Sequence, residues 1–456
     1  MDRRRFLGQA AGSMVGLTAA VPGVRAQATA PRRVLVIGAG LSGLSAARVL
    51  QDRGYDVVVI EGRDRIGGRV WTSNFWDDLP VDLGASWIHG VTGNPLSALA
   101  VQTRTRQVAT SYHRSRTYHP SGRALTRMEE SSLDNYGRVL YRAMERARMT
   151  GTDTSIRQVA DQLIDQYRSA PEARPYLNYI LNSEIEHEYA GSASSLSNRW
   201  YDDDREYSGG DVLLASGFGA LPGYLARDLR IELNQTVQEI DWSGLPVRVK
   251  TDKEAFSADR VLVTLPLGVL QSRSVRFAPL LPPLLQNSID RLGMGVLNKC
   301  VLRFATVFWP IELDWIGYIP EKHGEWAEWF SYRRTQNQAL LVGFHAGDRG
   351  REIESLSDGE IVESALDTLR TIYGSRIPVP IDYQITRWAS DPYARGSYSF
   401  NALGSVPLMR EELARPRSGR LFFAGEATHQ QFFGTAHGAY LSGQRAASEI
   451  ITSLTR

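Results

Sequence analysis

The chain has 456 residues, 43% of them hydrophobic and 22% charged, enough for two or three domains with substantial cores. Fifty-two Lys and Arg against 50 Asp and Glu leave a formal charge of +2, too balanced to point to nucleic acid. The single cysteine, Cys300, excludes an internal disulfide and a cysteine-built metal centre, and no histidine pair falls in an HExxH spacing, which argues against a metal enzyme.

The first thirty residues read as an address. Arg3-Arg4-Arg5-Phe6-Leu7 leads an uncharged stretch from Phe6 to Val24, and Val24-Arg25-Ala26 and Ala28-Thr29-Ala30 both fit a small-x-small cleavage site. The pattern resembles a bacterial twin-arginine export signal, which predicts a periplasmic or otherwise exported protein that meets the export machinery already folded. The alternative is a retained anchor, but Gly8, Gly12, Gly16 and Pro22 interrupt a run of barely spanning length, so no stable anchor is expected in the mature form. Four arginines here face one acid, Asp2, so the slight basicity of the chain belongs to this segment.

A β-branched run, Val34 to Ile37, is followed by Gly38-Ala39-Gly40-Leu41-Ser42-Gly43, a helix-length segment from Leu44 to Asp52, and a second strand, Val57 to Ile60. In this frame Gly38 makes a tight turn and Gly40 admits a pyrophosphate to the backbone. Leu41 and Ser42 open the helix, and Gly43 lets it pack on the strand. Glu61, at the end of the second strand and eighteen residues past Gly43, is placed to bond a ribose hydroxyl, with Gly62 beside it. Arg63-Asp64-Arg65-Ile66-Gly67-Gly68-Arg69 then puts a glycine pair between arginines, suited to a second approach to phosphate.

From about Thr126 to Tyr167 the apolar residues fall at three-and-four spacing in two stretches, the second opening after a Thr154/Ser155 cap, which predicts two helices. Strand-like runs resume at Ile231 to Ile240, which contains Val237, then at Pro246 to Thr251 and Val261 to Leu265. A mixed region runs from Lys299 to about Arg376, and the chain closes with a strand, Leu421 to Ala424, and a helix from about Thr435 to Leu454. The expected fold is α/β. A Rossmann-type domain is assembled from residues 31–105, 206–290 and 383–456, with an α+β substrate-binding domain inserted as 106–205 and 291–382.

Lys299 stands in an otherwise apolar strand, Val296 to Phe304, on the face opposite Cys300 and Leu302. A buried ammonium needs a partner or a lowered pKa. Glu184, Glu186 and Glu188 would share one side of a strand but scatter on a helix, and they read equally as a cation site or as a solvated acidic face. The N-terminus of the last helix can stabilise negative charge on a bound group.

Glu61, Arg63, Arg65, Gly67, Gly68 and Arg69 match E-x-R-x-R-x-G-G-R, the extended FAD signature of the flavin amine oxidase family. The resemblance spans about residues 33 to 454. Asp82-Leu83-Gly84-Ala85-Ser86-Trp87-Ile88-His89-Gly90 is similar to the segment under the flavin in polyamine oxidases and lysine-specific histone demethylases. Arg387-Trp388 with Asp391 to Ser399, which includes Tyr393, is similar to their block beside the isoalloxazine ring. Phe423 to Thr428, with Gly425 and Glu426, and then Gly434 to Ala439, with Thr435 and Ala436, are similar to their C-terminal flavin block.

The resemblance implies FAD as cofactor and Glu426 bonded to its ribityl–phosphate region. It implies that Lys299 holds a water against flavin N5, that His89 and Glu188 stand near the substrate amine, and that Tyr398 forms an aromatic wall. Thr435 replaces the second aromatic residue of monoamine oxidases, which favours the polyamine oxidase and demethylase branch. Ser397 stands where mitochondrial monoamine oxidases attach their flavin through cysteine, so non-covalent FAD is expected. The implied activity is hydride transfer from an amine α-carbon to flavin N5, hydrolysis of the imine to an aldehyde, and reoxidation by oxygen to hydrogen peroxide or by another acceptor. Polyamines lead, then primary monoamines, then L-amino acids. A flavin desaturase and a non-enzymatic nucleotide-fold binding protein are the rivals.

Overall fold

Valine-rich strands that alternate their side chains between two apolar layers need cover on both faces. In the computed structural model, which describes residues 32–149 and 151–455, strand β1 (Arg33–Ile37) is such a strand. Val34 and Val36 join one core with helix α1 (Leu41–Gln51), while Leu35 and Ile37 join another. Strand β2 (Asp56–Ile60) pairs parallel to β1, with Val34 opposite Val57. The finished parallel sheet has five strands, in the order 421–423, 260–263, β1, β2, 230–232. The helix Ala436–Thr455 lies along α1, so close that a Cβ on Gly443 would overlap the Ser42 carbonyl oxygen. The residues read as an export signal, and both cleavage sites, lie outside the described residues.

Sheet membership differs from expectation at one place. The run Ile231 to Ile240 is two strands, Arg230–Glu232 in the parallel sheet and Val237–Asp241 in a separate four-stranded sheet. Asn234 breaks it with a φ of 56°, a conformation asparagine tolerates, and donates its N–H to the Arg63 carbonyl.

The two expected helices form at Arg127–Arg148 and Ile156–Gln166, each started by a reciprocal cap, Thr126 with Glu129 and Ser155 with Gln158. Ser155 rather than Thr154 is the capping residue. A six-stranded sheet follows the order 382–385, 297–303, 340–346, 328–331, 315–318, 115–118. Its strand Leu297–Arg303 is paired on both sides, so Lys299 lies within the sheet, opposite Phe344. Cys300 and Leu302 face one core and Val301 the other, the alternation expected. No helix among the described residues is long and apolar enough to cross a membrane.

Candidate active site

One cavity of about 640 Å³ runs from the turn after β1 to a chamber of aromatic and acidic residues beside the six-stranded sheet. At its first end Gly38 has a φ of 107°, and a Cβ on Gly43 would overlap the Gly38 carbonyl oxygen, so α1 can leave the strand this tightly only with glycine at both places. Glu61 is buried; its Oε2 accepts the Ala39 N–H at 2.8 Å and its Oε1 the Arg63 N–H at 2.9 Å. Each oxygen keeps a second acceptor site. Gln235, Thr236 and Val237 supply the facing wall, and a Cβ on Gly62 would come within 2.6 Å of the Tyr393 ring.

The arginines of the extended signature are each engaged by protein acceptors. Arg63 pairs with both oxygens of Asp391 at 2.8 and 2.7 Å. Arg65 donates to the Gly68 carbonyl at 2.9 Å and lies over Trp71; burial, then repulsion from Arg63, lowers its pKa to about 10. Arg69 bonds the Ser397 carbonyl at 2.9 Å and Glu426 at 2.8 Å. Arg63 and Arg69 thus tie the loop to distant segments while lining the cavity, and Arg65 braces the loop itself; the backbone N–H groups and dipole at the start of α1 suit a phosphate.

In the middle of the cavity, a Cβ on Gly84 would overlap the Arg69 carbonyl oxygen. Lys299 is buried, and its Nζ donates to the Asp82 carbonyl at 2.9 Å, the Gly84 carbonyl at 2.7 Å and Ser86 Oγ at 2.6 Å. Burial lowers its pKa to about 8 against the opposing pull of Asp82. All three ammonium protons are thus taken by protein acceptors. Lys299 thereby pins the Asp82–Ser86 loop.

Glu426 is buried in the cavity wall; its Oε1 takes Arg69 at 2.8 Å, and its Oε2 takes Ser399 Oγ at 2.6 Å and the Gly434 N–H at 2.9 Å, so its carboxylate ties three protein segments together. Thr435 caps the last helix through the Gly438 N–H at 2.9 Å, leaving the Ala436 end of that helix against the cavity.

The far chamber is walled by a stack. Tyr112 lies on Trp315 at 4.6 Å and 10°, and Trp315 on Trp87 at 5.5 Å and 24°. Tyr398 lines the same chamber and donates to the His187 carbonyl at 2.6 Å.

Residues 181–186 form a π-helical turn continued by His187–Tyr189, so the three glutamates scatter as a helix requires. Glu184 meets Tyr141, and Glu186 is buried against His323, Asn182 and the Ala193 N–H. Only Glu188 opens into the cavity. His89, 58% exposed at its side chain, pairs with Asp211 at 3.1 Å. Crowding by the chamber wall works to lower the His89 pKa, but the Asp211 bond and the Glu188 charge outweigh it and raise it.

Asp204, Asp211 and Glu328 join Glu188 in the lining and were not singled out from the sequence. The run Asp202-Asp203-Asp204 was a usable signal; Glu328, alone in a strand of aromatics, gave none. Burial and then the neighbouring Glu188 and Glu206 raise Asp204 to about 7. Burial raises Glu188 as well, with His89 opposing.

The residues expected to touch cofactor or substrate line this one cavity, except Gly43, which packs behind Gly38, and Arg65, Glu184 and Glu186, which lie outside its lining. An elongated dinucleotide fits it: a glycine cradle that side chains would fill at one end, an acid at the ribose position, and a helix N-terminus and aromatic rings at the other.

Residues 41–451 match the family model described as flavin containing amine oxidoreductase. Lysine-specific histone demethylase 1 homolog 2 of Arabidopsis thaliana is 38% identical over 439 residues, covering 92% of this chain and 58% of that protein. Its namesake in Oryza sativa subsp. japonica is 37% identical over 461 residues, covering 96% and 59%. Polyamine oxidase 2 of Arabidopsis thaliana is 33% identical over 432 residues, covering 91% and 87%. The chain spans little more than half the length of the demethylase homologues it matches.

Proposed function

The chain belongs to the flavin containing amine oxidoreductases, FAD-dependent enzymes that oxidise amines, and on that premise we propose that it acts on polycationic amines such as polyamines. The observation that carries this reading is the convergence of Glu188, Asp204, Asp211 and Glu328 on one chamber. Asp211 pairs with His89 and Glu328 with His187, both at 3.1 Å, whereas burial and neighbouring acids raise Asp204 and Glu188, and a chain with several ammonium groups supplies the cation those two lack. Bound between the glycine turn and Tyr398, FAD would supply the two-electron chemistry: a hydride acceptor for the carbon next to the amine nitrogen and a route for the electrons to oxygen, which would leave as hydrogen peroxide. Tyr398 and Trp87 flank the reacting end, and the acids hold a distal ammonium. The reacting nitrogen must be neutral, and the imine formed hydrolyses to an aldehyde.

A methylated lysine side chain is the second reading, favoured by the 38% identity to a demethylase homologue. Non-covalent FAD is part of the proposal, supported by Ser397, whose Oγ is engaged with the Leu297 backbone. So is an exported location, supported by Arg3-Arg4-Arg5 before Phe6-Leu7.

Anaerobic titration with spermidine, tyramine and phenylalanine tests the substrate. Spermidine is expected to bleach the flavin at the lowest concentration; equal response to tyramine would overturn the polycation reading. Glu188→Gln is expected to weaken spermidine binding about tenfold, about 1.4 kcal/mol, and tyramine binding much less. Spermidine affinity should also fall as pH drops through about 7, where Asp204, beside Glu188, Glu206 and Asp202, takes up its proton.

A further inference from the structure

Asn298 precedes Lys299 on the same strand and is buried on the other face. Its amide makes every bond it can. Nδ2 donates to the Gly350 carbonyl at 2.9 Å and to Glu354 Oε1 at 2.7 Å; Oδ1 accepts Thr386 Oγ1 and the Trp388 N–H, both at 3.0 Å. Two donors and two acceptors in this arrangement admit an amide and nothing else of its size.

Thr386 carries the constraint to the lysine. Its Oγ1 accepts the Lys299 N–H at 2.8 Å, and its own N–H donates to the Lys299 carbonyl at 3.0 Å. Glu354 extends it along the loop: Oε1 also accepts the Ala389 N–H at 2.8 Å, and Oε2 accepts Ser390 N–H and Oγ at 2.7 and 2.6 Å. The loop so held presents Trp388, which lines the cavity and reaches the Leu83 carbonyl at 3.3 Å, next to the carbonyls that hold Lys299.

We propose that Asn298 and Glu354 are positioning residues for amine oxidation, a hydrogen-bonded pair that fixes the Lys299 peptide and the Trp388 loop in one register against the cavity. Neither touches the cavity itself. The pair acts because every acceptor is filled: if either partner changes, buried donors are stranded and the loop gains alternatives. The proposal rests on the amine oxidase reading above, and its test separates the two.

The experiment compares holoenzyme carrying Asn298→Asp, Glu354→Ala and the double change Asn298→Asp/Glu354→Gln. Asn298→Asp sets two carboxylates face to face. It is expected to slow the limiting rate of anaerobic flavin reduction by spermidine about tenfold, with the spermidine dissociation constant within twofold of wild type. It should also move the inflection of that rate's pH profile away from its wild-type position. Glu354→Ala, at a half-buried site, should show a smaller effect of the same kind. The double change restores one amide facing one carboxylate but leaves the new carboxylate against the Gly350 carbonyl, so it should recover part of the lost rate, about threefold.

A purely structural role predicts instead a lower flavin content with normal rates per bound flavin, and no rescue. Either result overturns the proposal. Hydrogen exchange on the apoprotein reads the same pair without turnover: amides of residues 388–390 should lose protection in Asn298→Asp and regain it in the double variant. Unchanged protection refutes the pair, whereas loss of protection in a protein that no amine bleaches would leave the pair standing and remove the function.

Discussion

Lys299→Met is expected to slow amine-dependent flavin reduction, or reoxidation of the reduced enzyme, by roughly tenfold or more while the protein stays folded and yellow. The substitution keeps the apolar stem and removes three hydrogen bonds at once, to the Asp82 and Gly84 carbonyls and to Ser86 Oγ. Those acceptors sit in the loop that lines the middle of the cavity, so part of the effect should appear as flavin bound a few-fold more weakly.

The rest should appear in the pH profile. With its pKa lowered to about 8, the wild-type lysine donates three bonds below that pH, and above it can donate two and accept one. An inflection near pH 8 in the limiting reduction rate should therefore vanish in the Met variant. Ser86→Ala, which deletes a single acceptor, should keep the inflection. Stopped-flow measurement of both half-reactions decides: unchanged rates in each would remove Lys299 from the mechanism.

The second large effect is at the glycines. Gly40→Ala and Gly43→Ala should both yield colourless protein, for different reasons. A Cβ on Gly40 meets nothing nearer than the Gly67 carbonyl at 3.8 Å, so the apoprotein should fold with wild-type stability and fail only where the methyl fills the path of a phosphate. A Cβ on Gly43 overlaps the Gly38 carbonyl oxygen and must push α1 off its strand, at a cost of about 1–3 kcal/mol or more. The ratio of blue absorbance to protein absorbance, set beside thermal unfolding of the apoproteins, separates the cases. A Gly40→Ala protein that purifies yellow would show that the backbone is not where the cofactor's phosphates lie.

These two predictions mark where the chain announces its site and where it does not. The glycine turn and Glu61 were legible because they are local: strand, turn, helix and acid are neighbours in sequence, and backbone geometry dictates each. Lys299 was legible because a charge inside an apolar strand contradicts its surroundings. The arginines beyond Glu61 were visible as charges but not as latches, since their partners, Asp391, Ser397 and Glu426, lie more than three hundred residues away. The acidic chamber was only half visible for the same reason. Asp211 and Glu328 are single acids on two different strands, and only the packing of those strands around the π-helical turn brings them to Glu188. The split of Ile231 to Ile240 hid because alternation reports a strand without saying which sheet it joins.

The order of the parallel sheet also constrains how the molecule comes into being. Its strands come from residues 33–37, 56–60, 230–232, 260–263 and 421–423, and the last helix, 436–455, covers one face. Most pairings in that layer bridge long loops, which makes its assembly intrinsically slow. During synthesis the first strand and its glycine turn emerge hundreds of residues before the strand that completes the sheet. Until then the sheet is incomplete, although α1 already covers Val34 and Val36, and the cavity lacks its final wall, Gly425 to Ala436. The cavity is therefore complete only once the last helix has been made.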